Sequence, residues 1–170
     1  MRICLTGPEC TGKTTLSRRL AELLGAEWVP ESSRAYVERV ARALTIDDVE
    51  PIAREHLDRV ARAETAATKR GVTTLVLDAD LVSTVVYGAF YYGFSSAWLE
   101  AEAVRHLAEL YLLCDVDVPW VADGVRDQPT ERQSMFELFR AALEQRGARF
   151  VIIRGDWDAR GKQAREALGA

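Results

Sequence analysis

The first fifteen residues constrain this chain more than any other stretch. A short apolar run at residues 2–6 leads into a glycine-rich loop, and leucines at helical spacing follow. The loop consists of Gly7, Pro8, Glu9, Cys10, Thr11, Gly12, Lys13, Thr14 and Thr15. It matches the pattern G-x-x-x-x-G-K-[ST] in the strand–loop–helix context of a phosphate-binding loop. The N–H groups of such a loop converge on a phosphate at the positive end of a helix dipole, so we expect a nucleoside triphosphate to bind residues 7–15.

Three side chains of this loop can be considered separately. Lys13 can reach the β- and γ-phosphates, and the hydroxyl of Thr14 can be a ligand of Mg²⁺. Neighbouring amide groups and Lys13 would favour a thiolate at Cys10. The simpler interpretation of Cys10 is a small residue at a variable position of the loop.

Composition argues against several other classes of protein. The 170 residues favour one domain, and the net charge of −4 argues against a broad nucleic-acid-binding surface. Three cysteines without C-x-x-C spacing indicate neither a disulfide framework nor a zinc site. No run approaches the roughly 18 apolar residues of a membrane span. The first strand starts at residue 2, before any signal peptide could fit, so we expect a cytoplasmic enzyme.

The rest of the chain alternates apolar runs with amphipathic helical patterns. Further runs with strand character lie at residues 26–31, 73–78, 110–115 and 149–155. Strands that alternate with helices predict an α/β fold in which helices cover a parallel sheet. We find no repeat, linker or low-complexity segment, and we expect residues 1–170 to form a single domain.

Acidic residues follow two of these strands. Glu31 and Arg34 lie at the carboxyl end of the second strand, the edge at which open α/β sheets bind ligands, although a plain surface ion pair is the alternative. Asp78 ends the third strand, where the partner strand of a phosphate loop carries an Asp that organises Mg²⁺. If strand geometry persisted to Asp80, both carboxylates would lie on one face and share a cation or raise each other's pKa. Alternatively, Asp80 caps the next helix.

Two later segments could complete an active site. The aromatic run at residues 85–94 indicates core packing, but Tyr87 and Tyr91 could also line an acceptor pocket. The stretch at 118–129 is long for a connection; it contains Arg126, and Arg132 follows it. We expect a lid at about 117–132 whose arginines close over the phosphates, the alternative being solvated charge on a loop.

Four stretches together make the chain resemble the ribosylnicotinamide kinase domain of bacterial proteins that make and regulate NAD. They are GPECTGKTTL, PESSRAYVE, TLVLDADLVSTVVYG and LLCDVDVPWVADGVRD. The resemblance extends from residue 2 to about residue 165. It departs at Cys10-Thr11, where the family often has two serines, and only backbone N–H groups matter there.

The resemblance implies a P-loop fold of the nucleoside- and nucleotide-kinase type, with a five-stranded parallel sheet in the order 2-3-1-4-5. It implies ATP with Mg²⁺ as donor, and nicotinamide riboside as the acceptor that is phosphorylated at its 5′-hydroxyl to nicotinamide mononucleotide. Better-known members also carry an adenylyltransferase domain. This chain lacks the HxGH signature of that domain, so we expect that activity to be absent. A kinase for another nucleoside or small metabolite and a regulatory nucleotide-binding ATPase stay as alternatives.

Roles for individual residues follow from the resemblance. Asp78 is assigned with Thr14 to Mg²⁺, and Asp80 to the acceptor hydroxyl as base or ribose anchor, with Glu31 as the alternative base. Lys13, Asp80 and Arg126 are the expected catalytic residues. The residues expected to bind the acceptor are Glu31, Arg34, Asp80, Tyr87, Tyr91 and Asp123. Aromatic faces and carboxylates suit nicotinamide riboside because its pyridinium ring is a cation.

Overall fold

A parallel β-sheet forms the centre of the molecule. The computed structural model describes residues 1–118 and 131–169. Within these residues the strands are β1 (Arg2–Thr6), β2 (Glu27–Val29), β3 (Leu75–Asp78), β4 (Leu110–Cys114) and β5 (Phe150–Ile153). They pair in parallel in the order β2-β3-β1-β4-β5. The predicted α/β fold and the predicted strand order are therefore confirmed.

Helices connect the strands and cover both faces of the sheet. They are α1 (Lys13–Leu24), α2 (Ser32–Val40), α3 (Val49–Lys69), α4 (Leu81–Tyr92), α5 (Ala97–Arg105), α6 (Arg132–Gln145) and α7 (Trp157–Leu168). A short 3₁₀ turn, Ile46–Asp48, precedes α3. In the part of the chain that the structure describes, no helix has the length and apolarity needed to cross a membrane.

The core lies on the two faces of the sheet. One face packs against α3, α4 and α6 and contains Leu77 and Tyr111. The other face packs against α1 and α7 and contains Leu5 and Leu112. Strands buried on both faces need near-continuous apolar sequence, which explains the apolar runs that predicted them. Burial of each such leucine contributes about 1.5–3 kcal/mol of hydrophobic stabilisation.

The strand order brings three loops to one edge of the sheet. β1 lies between β3 and β4, with Leu5 opposite Asp78 and Thr6 opposite Leu113. Consequently the loop after β1 is flanked by the segments that follow β3 and β4. Gly7 begins this loop with a φ of 127°, and a Cβ there would lie 2.7 Å from the carbonyl oxygen of Cys114. Only glycine allows the loop to leave the sheet this close to β4.

Candidate active site

The phosphate-binding loop joins β1 to α1. Cys10 and Gly12 both have left-handed backbone conformations, with φ of 54° and 80°, and α1 begins at Lys13. Successive turns of this kind direct N–H groups toward one centre. The ammonium group of Lys13 donates to the carbonyl oxygens of Gly7 at 2.9 Å and Pro8 at 2.7 Å. Lys13 also lines the adjoining cavity, so it can exchange a carbonyl partner for a phosphate oxygen.

Asp78 has the features expected of a magnesium ligand. Its side chain is buried, and its Oδ1 atom has no hydrogen-bond partner among the described residues. Burial raises the pKa of Asp78, nearby Glu31 adds to that effect, and a hydrogen bond from Thr14 opposes it. An unpaired buried carboxylate oxygen beside a loop hydroxyl fits Mg²⁺, which takes one or two protein oxygens and completes its shell with water and phosphate. Among residues 1–118 and 131–169, no cluster of three His, Cys, Asp or Glu side chains could hold a metal.

Asp80 differs from the expectation for a continued strand. β3 ends at Asp78, and Ala79 has a positive φ of 68° that turns the chain away. Asp80 instead caps α4: its Oδ1 accepts from the N–H of Val82 at 3.0 Å, and its Oδ2 accepts from the hydroxyl of Tyr111 at 2.5 Å. Extension of the strand to Asp80, and with it the shared face, was thus wrong, and the capping alternative was right.

The start of α4 is held to the sheet at two points. One is the bond between Asp80 and Tyr111, a buried residue of β4. The other joins the hydroxyls of Thr6 in β1 and Ser83 in α4 at 3.0 Å. Burial raises the pKa of Asp80, and hydrogen bonds from Tyr111 and the backbone partly offset that effect. Its role toward an acceptor stays a prediction.

A cavity of about 450 Å³ opens beside the phosphate-binding loop, between α2, α3 and α4. Its lining includes Glu9, Lys13, Glu31, Arg34, His56, Asp80, Tyr87 and Tyr91. The structure thus brings most of the predicted acceptor residues to the predicted loop. A larger hollow of about 640 Å³ surrounds Arg2 and Glu109 at the opposite edge of the sheet, far from the phosphate-binding motif.

Tyr87 and Tyr91 form the side of the cavity that belongs to α4. Their rings are nearly parallel, with centroids 6.1 Å apart. The hydroxyl of Tyr87 donates to the carbonyl oxygen of Gly7 at 3.5 Å, and that of Tyr91 to a carboxylate oxygen of Glu9 at 3.4 Å. Tyr87 also packs edge-on against Phe139, so it serves both the core and the cavity wall.

A buried carboxylate that the sequence patterns did not indicate is bonded to Arg42 and Thr45 of the cavity lining. Asp48 is buried and accepts from Arg42 at 2.6 and 2.8 Å, from the hydroxyl of Tyr36 at 2.9 Å and from the N–H of Thr45 at 2.8 Å. Arg42 is the main reason why the pKa of Asp48 lies well below its usual range. The spacing Thr45-x-x-Asp48 of a capping box was the available signal.

His56, a residue of α3, also lines the cavity. It is buried, and its Nδ1 lies 3.5 Å from the hydroxyl of Ser32. Burial lowers the pKa of His56 to about 4, with a smaller contribution from Arg59. The imidazole is therefore neutral at pH 7.

Several residues of the predicted lid fall outside the described residues. Arg126 and Asp123 are among them, so their roles stay predictions. Arg132 begins α6, donates to the carbonyl oxygen of Val118 at 3.1 Å and reaches that of Cys10 at 3.3 Å. Its contact is with the backbone of the phosphate-binding loop.

A family model of an AAA domain matches residues 2–160. The chain belongs to this AAA domain family. The match includes the phosphate-binding loop, all five strands and the cavity-lining residues of the AAA domain.

Curated relatives of this AAA domain include the trifunctional NAD biosynthesis/regulator protein NadR from two bacteria. The protein of Salmonella typhimurium is 27% identical over 165 residues, and that of Escherichia coli is 28% identical over 167 residues. Each match covers 93% of this chain and 39% of the relative. The AAA domain thus spans well under half the length of these relatives.

Solved structures similar to this AAA domain confirm its fold. A NadR protein in complex with NR has a TM-score of 0.83 at 23% identity, over 98% of this chain and 48% of that chain. A NadR protein in complex with NAD and AMP-PNP has a TM-score of 0.74 at 22% identity, with the same coverage. Thymidylate kinase from Ehrlichia chaffeensis has a TM-score of 0.76 at 14% identity, over 99% of this chain and 98% of that chain.

Proposed function

We propose that this protein is an ATP-dependent kinase that phosphorylates the 5′-hydroxyl of nicotinamide riboside to give nicotinamide mononucleotide. The observation that carries the proposal is that Glu9 and Lys13 of the phosphate-binding loop also line a cavity of about 450 Å³. This volume suits a small ligand. The likeness to NadR, one structure of which holds NR, supports nicotinamide riboside as the acceptor. The predicted cytoplasmic location stays a prediction.

On the donor side, the loop would bind the phosphates of ATP through its N–H groups and Lys13. Thr14 and Asp78 would hold Mg²⁺, which would neutralise charge on the β- and γ-phosphates. The NadR complex with AMP-PNP supports ATP as the donor. Lys13 would stabilise the charge that develops on the phosphoryl group during transfer.

On the acceptor side, Glu31 is better suited than Asp80 to orient the 5′-hydroxyl and accept its proton. Both carboxylate oxygens of Asp80 are already bonded, to Tyr111 and to the backbone of α4. Glu31 is half-buried in the cavity wall, and one of its oxygens accepts from the hydroxyl of Ser33 at 2.6 Å. Nearby Glu31 also contributes to the raised pKa of Asp78, which supports a position close to the proposed magnesium site. A base must lie within hydrogen-bond reach of the proton that it removes.

The charge of the acceptor is consistent with the cavity. The pyridinium ring of nicotinamide riboside is a cation, which aromatic faces and carboxylates attract. Tyr87, Tyr91 and Glu31 offer both kinds of group. The neutral state of His56 adds no further positive charge to the cavity lining.

An acceptor panel tests the proposal directly. ADP release would be measured with nicotinamide riboside, nicotinic acid riboside, adenosine and thymidine, and the product identified by mass. We expect nicotinamide riboside to have the highest kcat/KM, by about tenfold or more, because only it combines a cationic ring with a neutral carboxamide. ADP release that is independent of every acceptor would instead indicate a regulatory ATPase. If another nucleoside had a higher kcat/KM, that nucleoside would replace nicotinamide riboside as the proposed acceptor.

A further inference from the structure

The outer side of the phosphate-binding loop is held by two arginines. NH1 of Arg160 donates to the carbonyl oxygen of Thr11 at 2.9 Å, and NH2 of Arg132 donates to that of Cys10 at 3.3 Å. The two carbonyl groups belong to consecutive peptide groups. The N–H group of the Thr11 carbonyl's peptide is that of Gly12, and the N–H group of the Cys10 carbonyl's peptide is that of Thr11. In a phosphate-binding loop such N–H groups face the ligand, so the arginines lie on the opposite side of the same peptides.

Each of the three guanidinium nitrogens of Arg160 has at least one partner. Its side chain is 1% exposed, although it is one of the largest in the protein. Besides Thr11, it donates to the carbonyl oxygens of Gly155 at 2.8 Å and Asp115 at 3.1 Å, and it forms an ion pair with Asp117. The guanidinium group thus connects the loop to the segments that follow β4 and β5. A lysine could not supply donors in so many fixed directions.

Thr11 is only 1% exposed, and the ring of Trp157 packs against Gly12 on the same side of the loop. A Cβ on Gly12 would lie 2.8 Å from the Trp157 ring, and the guanidinium of Arg19 lies 5.3 Å from the centroid of that ring. A buried carbonyl group that cannot reach water needs a protein donor. Arg160 is that donor for Thr11.

We infer that Arg160 is a positioning residue for the phosphoryl donor, and that Arg132 assists it. By donating to the carbonyl of Thr11, Arg160 fixes the orientation of the Thr11–Gly12 peptide with its N–H toward the phosphates. A hydrogen bond at the carbonyl end also polarises the peptide, which strengthens the N–H at the other end as a donor. Arg132 acts in the same way on the Cys10–Thr11 peptide, more weakly because its bond is longer and its side chain is less buried. The inference rests on the proposed ATP binding and goes beyond it by assigning a residue that contacts no substrate.

The test compares nucleotide binding with acceptor binding in Arg160→Met and Arg160→Lys. Affinity for Mg-ADP is measured by calorimetry without an acceptor, and kcat and both KM values are measured in the kinase assay. We expect Arg160→Met to weaken ADP binding by about tenfold and to lower kcat, with the acceptor KM unchanged. Arg160→Lys should recover part of the loss, because it keeps the charge and one donor. Arg154→Ala is the matched control, since Arg154 is an exposed arginine at the same corner that pairs with Asp115.

Two outcomes would overturn the inference. One is a folded Arg160→Met protein with unchanged ADP affinity and kcat, and the other is an acceptor KM that rises by the same factor as the ATP KM. If Arg160→Met does not fold, Arg132→Met decides, with an expected weakening of ADP binding of about threefold; unchanged binding would then refute the inference. A wild-type protein that binds Mg-ADP but phosphorylates another acceptor would refute only the proposed acceptor. The failure of the proposed function can therefore be told apart from the failure of the role inferred for Arg160.

Discussion

The phosphate side and the acceptor side of the candidate site are built from different parts of the chain. On the phosphate side, backbone groups of one loop form the site, and buried side chains such as Lys13 and Arg160 fix them. On the acceptor side, a cavity lies between three helices, and side chains such as Glu31 and Tyr91 determine its shape and charge. A backbone site tolerates little change, whereas a cavity formed by side chains can be altered one residue at a time. The difference predicts that mutations on the two sides affect different kinetic constants.

The largest effect should come from Lys13→Ala, because in the proposed reaction the lysine would supply positive charge to the phosphoryl group during transfer. We expect a loss of about 1,000-fold in kcat/KM, equivalent to about 4 kcal/mol. The melting temperature should change little, and steady-state kinetics with circular dichroism would measure both. Lys162→Ala, on the exposed face of α7, is the control. A folded Lys13→Ala enzyme that keeps more than about a tenth of the activity would contradict this role.

Asp78→Asn should be next in size, with a loss of about 100-fold in activity and a higher Mg²⁺ requirement. The substitution keeps the shape of the side chain and removes the charge that faces the proposed ion. Activity is titrated against Mg²⁺ at saturating ATP and acceptor. Asp158→Asn, an exposed position in α7, serves as control. An unchanged Mg²⁺ titration would remove Asp78 from the metal site.

Glu31→Gln and Asp80→Asn test which carboxylate acts on the acceptor. We expect Glu31→Gln to lower kcat by about 100-fold with ADP affinity unchanged, because this is the lower end of what general base catalysis contributes. Asp80→Asn should chiefly lower the unfolding free energy, by about 1–2 kcal/mol, because it weakens the bond from Tyr111 at the cap of α4. Glu22→Gln, exposed on α1, is the control. If kcat fell only in Asp80→Asn, Asp80 would again be the residue assigned to the acceptor hydroxyl.

The last effect concerns the pH dependence of stability on the acceptor side. Burial lowers the pKa of His56 from 6.5 to about 4, so between these values the unfolded chain binds a proton that the folded chain does not. The free energy of unfolding should therefore fall as the pH drops from 7 to 5, with His56 contributing about 2 kcal/mol. Urea unfolding at both pH values would show a smaller fall in His56→Gln, and His106→Gln is the control. Equal falls in wild type and His56→Gln would contradict the low pKa.

Local sequence patterns predicted the phosphate side well. The loop motif, the strand before it and the helix after it lie within 24 residues, so their geometry depends on near neighbours. The strand order followed from the resemblance to a family. Asp80 was assigned to a continued strand because Ala79, which turns the chain with a positive φ, is not a glycine and gave no sign of the turn.

Contacts distant in sequence explain most of what was missed. Arg160 bonds to a backbone carbonyl at Thr11, 149 residues away, and no side-chain pattern records such a partner. Asp48 and His56 lie among the charged residues of a helical region, where a solvated face is the simplest interpretation. Their burial depends on how α2 and α3 pack, which a single sequence does not specify.

The two bonds that hold the start of α4 also bear on regioselectivity. A nucleoside has several hydroxyl groups, and the one that reacts is the one that the enzyme brings to the phosphoryl donor. The hydrogen bonds Thr6–Ser83 and Tyr111–Asp80 connect α4 to β1 and β4, the strands next to the phosphate-binding loop. Tyr87 and Tyr91 lie on the same helix, so their position relative to the loop is fixed as well. On the proposed function, the sheet would therefore set the distance between these tyrosines and the donor, and we expect this distance to select the hydroxyl at the end of the sugar. Phosphorus NMR of the product should accordingly show a single phosphomonoester, at the 5′ position.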